Sequence, residues 1–217
     1  MSLHHSVVSP CDGRRIRSGY RRPSEFSPSS PRLADVADVG PAADTLASAF
    51  ADYPWTRYVI PAEGYQDRLR ALQELYLHHA VRHGLVAVHD DPAQGGAVDG
   101  VIAVLPPRTP DPAPETVARI VALHGDRIDR LTSGGDPEAD WRLETLGVLP
   151  SARGRGLGSA LTRFAIVEAV RRGARSMALE TSDPLNVRLY ERLGFTVTAR
   201  SEAPEAPPMW RMRADLA

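Results

Sequence analysis

The stretch LETLGVLPSARGRGLG, residues 143–158, decides how this chain is read. Leu143, Thr145, Leu146, Val148 and Leu149 suit a buried strand, since apolar and β-branched side chains pack well on a pleated surface. Pro150 ends it, having no N–H to give to a ladder. Arg153-Gly154-Arg155-Gly156-Leu157-Gly158 follows, and its three glycines let the backbone turn sharply and approach a ligand closely. A helix is predicted from about Leu157 to Arg172, with Gly173 as its stop. Free N–H groups at a helix start, aligned with the helix dipole, make an anion site, and arginines add charge and paired donors. The loop therefore reads either as a holder of a phosphate or pyrophosphate or as plain glycine-rich punctuation between strand and helix. It is not a Walker loop, because no Gly-Lys-Ser/Thr closes it. It is not the dinucleotide G-x-G-x-x-G either, because the third glycine comes one position early.

Downstream, Met177, Ala178 and Leu179 form a short strand that ends in Glu180-Thr181-Ser182. Ser182 or Asp183 then caps a helix with Pro184 in its first turn, closed by Gly194. Asn186 and Tyr190 are four apart and share a face of that helix. Strands follow at Phe195–Ala199 and Met209–Met212, separated by a proline-marked loop.

Upstream, Arg32–Val39 reads as a short first strand that Asp35 and Asp38 weaken, and Pro41–Phe50 as an alanine-rich helix. Asp52, Tyr53, Trp55 and Tyr58 crowd around Pro54, as a core corner or as the lining of a pocket. Glu63–His83 is a strong helix, with Leu69, Leu72, Leu75, Tyr76 and His79 near a 3.6-residue period. His78, His79 and His83 lack a further ligand at metal-binding spacing and read as packed or surface histidines, so no metal is expected. Leu85–His89 and Val98–Leu105 pair as a hairpin, and Glu115–Leu131 is helical by pattern. A loop is expected at Ser133–Glu138.

The first 31 residues are rich in Ser, Pro and Arg, without apolar periodicity, and are expected to form a disordered tail apart from a domain over 32–217. Their arginines also allow a basic arm on an anionic surface, but they lack the helical face or interleaved aromatics of a nucleic-acid binder. Over all 217 residues, 42% hydrophobic content, 24% charged content and a net charge of -1 exclude a general drive toward nucleic acid, and no run reaches membrane-spanning length. The single cysteine, Cys11, allows no internal disulfide and suits a cytoplasmic setting. All 26 basic residues are arginine, which leaves no catalytic lysine.

Two motifs in this order, Arg153-x-x-Gly156-x-Gly158 behind Leu146-Gly147-Val148 and Asn186-x-x-x-Tyr190-x-x-x-Gly194-Phe195, resemble the signatures of the GNAT acetyltransferase superfamily. AFADYP (49–54), RLRALQELYL (68–77), LGVLPSARGRGLGSAL (146–161) and LETSDPLNVRLYERLGFTVTAR (179–200) are similar to its puromycin N-acetyltransferase branch. The likeness fades between about His89 and Pro137. It implies an α/β (α+β) GNAT fold: a mixed sheet of about six to seven strands, flanked by four to five helices and splayed at an acetyl-CoA slot. It implies acetyl transfer from acetyl-CoA to an amine, with aminonucleosides of the puromycin type among the candidate acceptors. The pyrophosphate would lie on Arg153, Gly154, Arg155, Gly156, Leu157, Gly158 and Ser159, and the pantetheine arm beside Leu146, Gly147 and Val148 and near Asn186. The Val148 N–H would face the thioester oxygen, and Tyr190 would protonate the leaving thiolate or else be a core aromatic.

The base is less determined. Strand alternation would put Glu144 on the face of Leu146 and Val148, as the base or as one half of an ion pair. Tyr53 and Asp52 would orient the amine or relay its proton. Acetylation of a protein N-terminus or a polyamine, and a non-catalytic acyl-CoA-binding module, remain as alternatives. The partner expected is a small-molecule amine, with no nucleic acid or membrane, and the sequence leaves a homodimer open.

Overall fold

The computed structural model describes residues 7–8, 30–131 and 141–216. Cys11, most of the arginine-rich tail and the loop expected at Ser133–Glu138 lie outside the described residues. Eight strands form one sheet: β1 (Val7–Val8), β2 (Arg32–Leu33), β3 (Leu85–Asp91), β4 (Ala97–Leu105), β5 (Trp141–Val148), β6 (Ser176–Thr181), β7 (Thr196–Ser201) and β8 (Met209–Asp215). The order is β2-β3-β4-β5-β6-β8-β7, with β1 paired to β5. β5 runs parallel to β6 and to β1, and every other pairing is antiparallel. This is the mixed, helix-flanked sheet expected from the motifs.

Helices α1 (Val39–Ala49), α2 (Pro54–Val59), α3 (Tyr65–His83) and α4 (Pro114–His124) precede β5 in sequence, α5 (Leu157–Arg171) follows it, and α6 (Pro184–Glu191) follows β6. β4 shows how the two faces divide. Val101, Ala103 and Leu105 join Leu46, Phe50, Leu69 and Leu72 in one core. Ile102 and Val104 join Leu143, Leu161 and Ala165 in the other. Successive side chains alternate across a strand, so a strand covered on both faces reads as an unbroken apolar run.

Three local readings change. Asp35 and Asp38, taken as blemishes in a strand, form a capping box on a 3-10 turn at Val36–Asp38, which confines β2 to Arg32–Leu33. The helix expected through Leu131 ends at His124, because Gly125 takes a left-handed φ of 55° and a 3-10 segment follows. The third change is in β5. Ala103 pairs with Thr145 while Val104 pairs with Leu143, so Glu144 is an extra residue, a β-bulge. Simple alternation therefore fails here. Leu143, Leu146 and Val148 face α5, whereas Glu144 and Thr145 line a cavity with residues of α2 and α3.

Candidate active site

The ladder between β5 and β6 stops at Leu143 and Leu179, and beyond that pair the two strands part. The Leu149 N–H donates to Asp99 O at 2.8 Å. In an antiparallel pair the bonded positions alternate, so Gly147 and Thr145 bond toward β4. The N–H and C=O of Leu146 and Val148 consequently point to the opposite edge, into the gap between the parted strands. Among the described residues only β1 uses this edge, pairing Val7 with Thr145 and Val8 with Leu146. A two-residue strand thus falls within the stretch expected to lie apart from the fold. Gly147 itself is needed by packing: a Cβ there would lie 2.6 Å from a Leu46 methyl and 3.1 Å from the Ala49 Cβ.

At the end of β5 the chain makes a 3-10 turn at Pro150–Ala152 and enters α5 through Gly154 and Gly156, at φ 76° and 82°. Gly156 is the N-cap and supplies no side chain to the helix start. Among the described residues, the N–H groups of residues 154–159 find no acceptor in the fold. Such a run of backbone donors at a helix start can hold an anion. The two arginines serve otherwise in this conformation. Arg153 Nη2 donates to Ala49 O at 2.9 Å. Arg155 Nη1 lies 3.4 Å from Asp91 and 3.6 Å from Asp99, whose Oδ1 is 2.5 Å from His89 Nδ1. Arg153 therefore ties the loop to the end of α1, and Arg155 ties it to the β3–β4 hairpin.

α6 begins at Asp183, whose side chain accepts from the Leu185 N–H at 2.8 Å, with Pro184 in the first turn. Asn186 and Tyr190, one turn apart, are both fully buried. The Tyr190 ring meets Phe195 edge-on at 5.4 Å, and Asn186 Nδ2 donates to Thr181 Oγ1 at 3.3 Å. Tyr53 reaches the same threonine. Its oxygen accepts from the Ser182 N–H at 2.8 Å and lies 3.2 Å from Thr181 Oγ1. Burial pushes the Tyr53 phenol up, and its hydrogen bonds pull it only part of the way back. Tyr53, Thr181 and Asn186 thus fasten the start of α2 and of α6 to the end of β6. Asp52, expected beside Tyr53, is 95% exposed and pairs with Arg57 at the surface, so it does not join the site.

Glu144 opens onto a cavity of about 60 Å³ between α2, α3, β4 and β5. Arg142 Nε donates to Glu144 Oε1 at 2.7 Å, so the ion-pair reading of this carboxylate holds while it also faces the cavity. The walls are chiefly apolar, with Trp55, Leu72, Leu77 and Leu131 among them. Trp55 of the aromatic cluster is both buried in the core and part of the cavity wall. Sequence reasoning gave no site role to several polar residues here, Tyr76, His124 and Thr145 among them. Tyr76 was visible only as a position on an amphipathic helix, and no spacing links it to the other two. The rings of His79 and His83 lie 4.8 Å apart and tilted by 46°, and among the described residues no three His, Cys, Asp or Glu gather to hold a metal. No helix among them is long and apolar enough to cross a membrane.

The profile of the Acetyltransferase (GNAT) family matches residues 49–195. A mycothiol acetyltransferase from Geodermatophilus obscurus is 39% identical over 85 residues, 35% of this chain and 28% of that relative. The chain thus spans little more than a quarter of that relative's length. Among solved structures, the histone acetyltransferase HPA2 and related acetyltransferase from Corynebacterium glutamicum superposes with a TM-score of 0.71 at 28% identity, over 88% of this chain and 98% of that one. The yncA protein of Salmonella typhimurium, solved with its cofactor acetyl-CoA, gives 0.52 at 22% identity over 87% and 94%, a likeness of fold. These relatives bear on the superfamily and not on its puromycin branch. The matched span takes in the parted strands, the glycine loop and α6, and on that evidence the chain belongs to the GNAT acetyltransferase family.

Proposed function

We propose that this protein moves the acetyl group of acetyl-CoA to a primary amine of a small molecule by direct attack. The observation that carries the reading is the combination of parted strands and acceptor-free N–H groups at 154–159. Acetyl-CoA fits that combination: a diphosphate needs clustered N–H donors, and an amide-bearing arm needs an open strand edge. The N–H groups at 154–159 would hold the diphosphate, and the outward groups of Leu146 and Val148 would hold the arm. When bound, it supplies an activated acetyl group as a thioester.

The chain's own groups would do the rest. The Val148 N–H, turned away from β4, would stabilise charge on the acetyl oxygen. Tyr190 would hold a proton at its phenol oxygen for the departing sulfur. Glu144 would receive the amine and take its proton, directly or through water. Tyr53 supports the site by positioning the end of β6 and would touch the amine only through such a water.

A thiol-release screen with puromycin, spermidine, a peptide with a free N-terminus and simple monoamines tests the proposal. The expected result is acetyl-CoA-dependent release with a small-molecule amine. Tight acetyl-CoA binding without release for any acceptor would favour a non-catalytic acyl-CoA-binding module. Release with the peptide alone would favour N-terminal acetylation of proteins.

A further inference from the structure

We infer that the cavity beside Glu144 selects a primary monoamine joined to a compact apolar group, with its ammonium held by the Glu144 carboxylate, the Thr145 hydroxyl and the Tyr76 phenol oxygen. The inference rests on the acetyl-transfer reading and names the acceptor class for it.

The bulge at Glu144 places two consecutive polar side chains on the cavity side of β5. Thr145 is 6% exposed, and its Oγ1 is buried with no hydrogen-bond partner among the described residues. A buried hydroxyl left in that state is unfavourable, so a ligand that donates to it gains from the contact. Tyr76 supplies another acceptor by a tautomer argument. His124 Nδ1 lies 2.8 Å from the Val59 carbonyl, which can only accept, so Nδ1 carries the hydrogen. In the neutral ring Nε2 is then an acceptor, and the Tyr76 hydroxyl 3.4 Å away can donate to it. The phenol oxygen keeps its lone pairs for an incoming donor. Burial first, and the nearby charge of Glu144 second, push the Tyr76 phenol up, so it stays protonated in that role. His124 is thus a positioning residue that sets the direction of the Tyr76 hydrogen.

The cavity walls choose the body of the acceptor. Walls that include Trp55, Leu72, Leu77 and Leu131 favour apolar atoms. A second ammonium set among the apolar side chains of Trp55, Leu72, Leu77 and Leu131 would lose its hydration, which disfavours polyamines.

The test compares methylamine, phenethylamine, isoamylamine and spermidine as acceptors for the full chain and for Thr145→Val and Ala103→Leu, with acetyl-CoA affinity as the folding control. Phenethylamine and isoamylamine should be used well and spermidine poorly. Thr145→Val, which keeps the shape and removes the hydroxyl, should raise KM for the monoamines about tenfold. Ala103→Leu, which fills the cavity, should discriminate against phenethylamine more than against methylamine. Preference for spermidine, or unchanged acceptor kinetics in both variants, would overturn the inference while leaving acetyl transfer intact. If no amine releases thiol, calorimetry of phenethylamine with coenzyme A present still decides: binding weakened by Thr145→Val supports the inference, and no binding overturns it.

Discussion

The two halves of the proposed site are made of different material. The donor half is backbone: acceptor-free N–H groups at 154–159, the outward edge of Leu146 and Val148, and two glycines at positive φ. The acceptor half is side chains brought together from α2, α3, α4 and the sheet, with Trp55, Tyr76, His124, Glu144 and Thr145 drawn from distant parts of the chain. A backbone device depends on a few residue types at fixed spacing, so it leaves a motif. A convergent chamber depends on packing, so its residues can change identity together without leaving one. The donor half should therefore be sensitive to conformational change in the chain, and the acceptor half to changes of volume and polarity.

The largest expected effect lies where the halves meet. If Tyr190 is the proton donor, Tyr190→Phe should lower kcat by about 10²- to 10⁴-fold and leave acetyl-CoA affinity nearly unchanged, measured by steady-state kinetics beside calorimetry. Unchanged turnover would return Tyr190 to the core, where it already packs on Phe195. Gly156→Val comes next and probes the donor half alone. No atom lies within 4 Å of the added Cβ, so the effect comes from φ of 82° and not from crowding. Forcing a β-branched residue into that region costs about 1–3 kcal/mol, or about 5- to 150-fold in acetyl-CoA affinity if the loop must keep its shape to bind. Calorimetry at wild-type strength would separate the loop from the diphosphate.

The same contrast explains what was legible in advance. Gly154 and Gly156 mark the turn, and Asp183-Pro184 marks the start of α6, because each serves a local geometric need. The bulge at Glu144 has no such marker. It follows from how β4 and β5 register, and it turns one side chain from the α5 face to the cavity. Arg153 and Arg155 were legible as charges beside an anion site, but their partners, Ala49 O, Asp91 and Asp99, come from elsewhere in the fold. Gly125 stood in plain view inside a helical pattern, and its left-handed conformation depends on the chain turning back after α4. His124 and Thr145 needed tertiary structure to meet at all.

The smallest predicted effect concerns the donor half again, at its open edge. Val7–Val8 pairs in parallel with Thr145–Leu146, on the strand edge assigned to the pantetheine arm. One set of N–H and C=O groups cannot serve both, so the N-terminal strand and acetyl-CoA should compete. The strand is a weak competitor. Each hydrogen bond contributes about 0.5–1.5 kcal/mol net, and ordering a residue costs about 1–2 kcal/mol, so a two-residue ladder nearly cancels. Removing residues 1 to 8 should therefore tighten acetyl-CoA binding by about two- to fivefold and leave the acceptor preference unchanged. Calorimetry on the full and shortened chains measures this directly. Equal or weaker affinity in the shortened chain would mean that the arm runs along a different edge from the one β1 uses, and the assignment of Leu146 and Val148 would have to move with it.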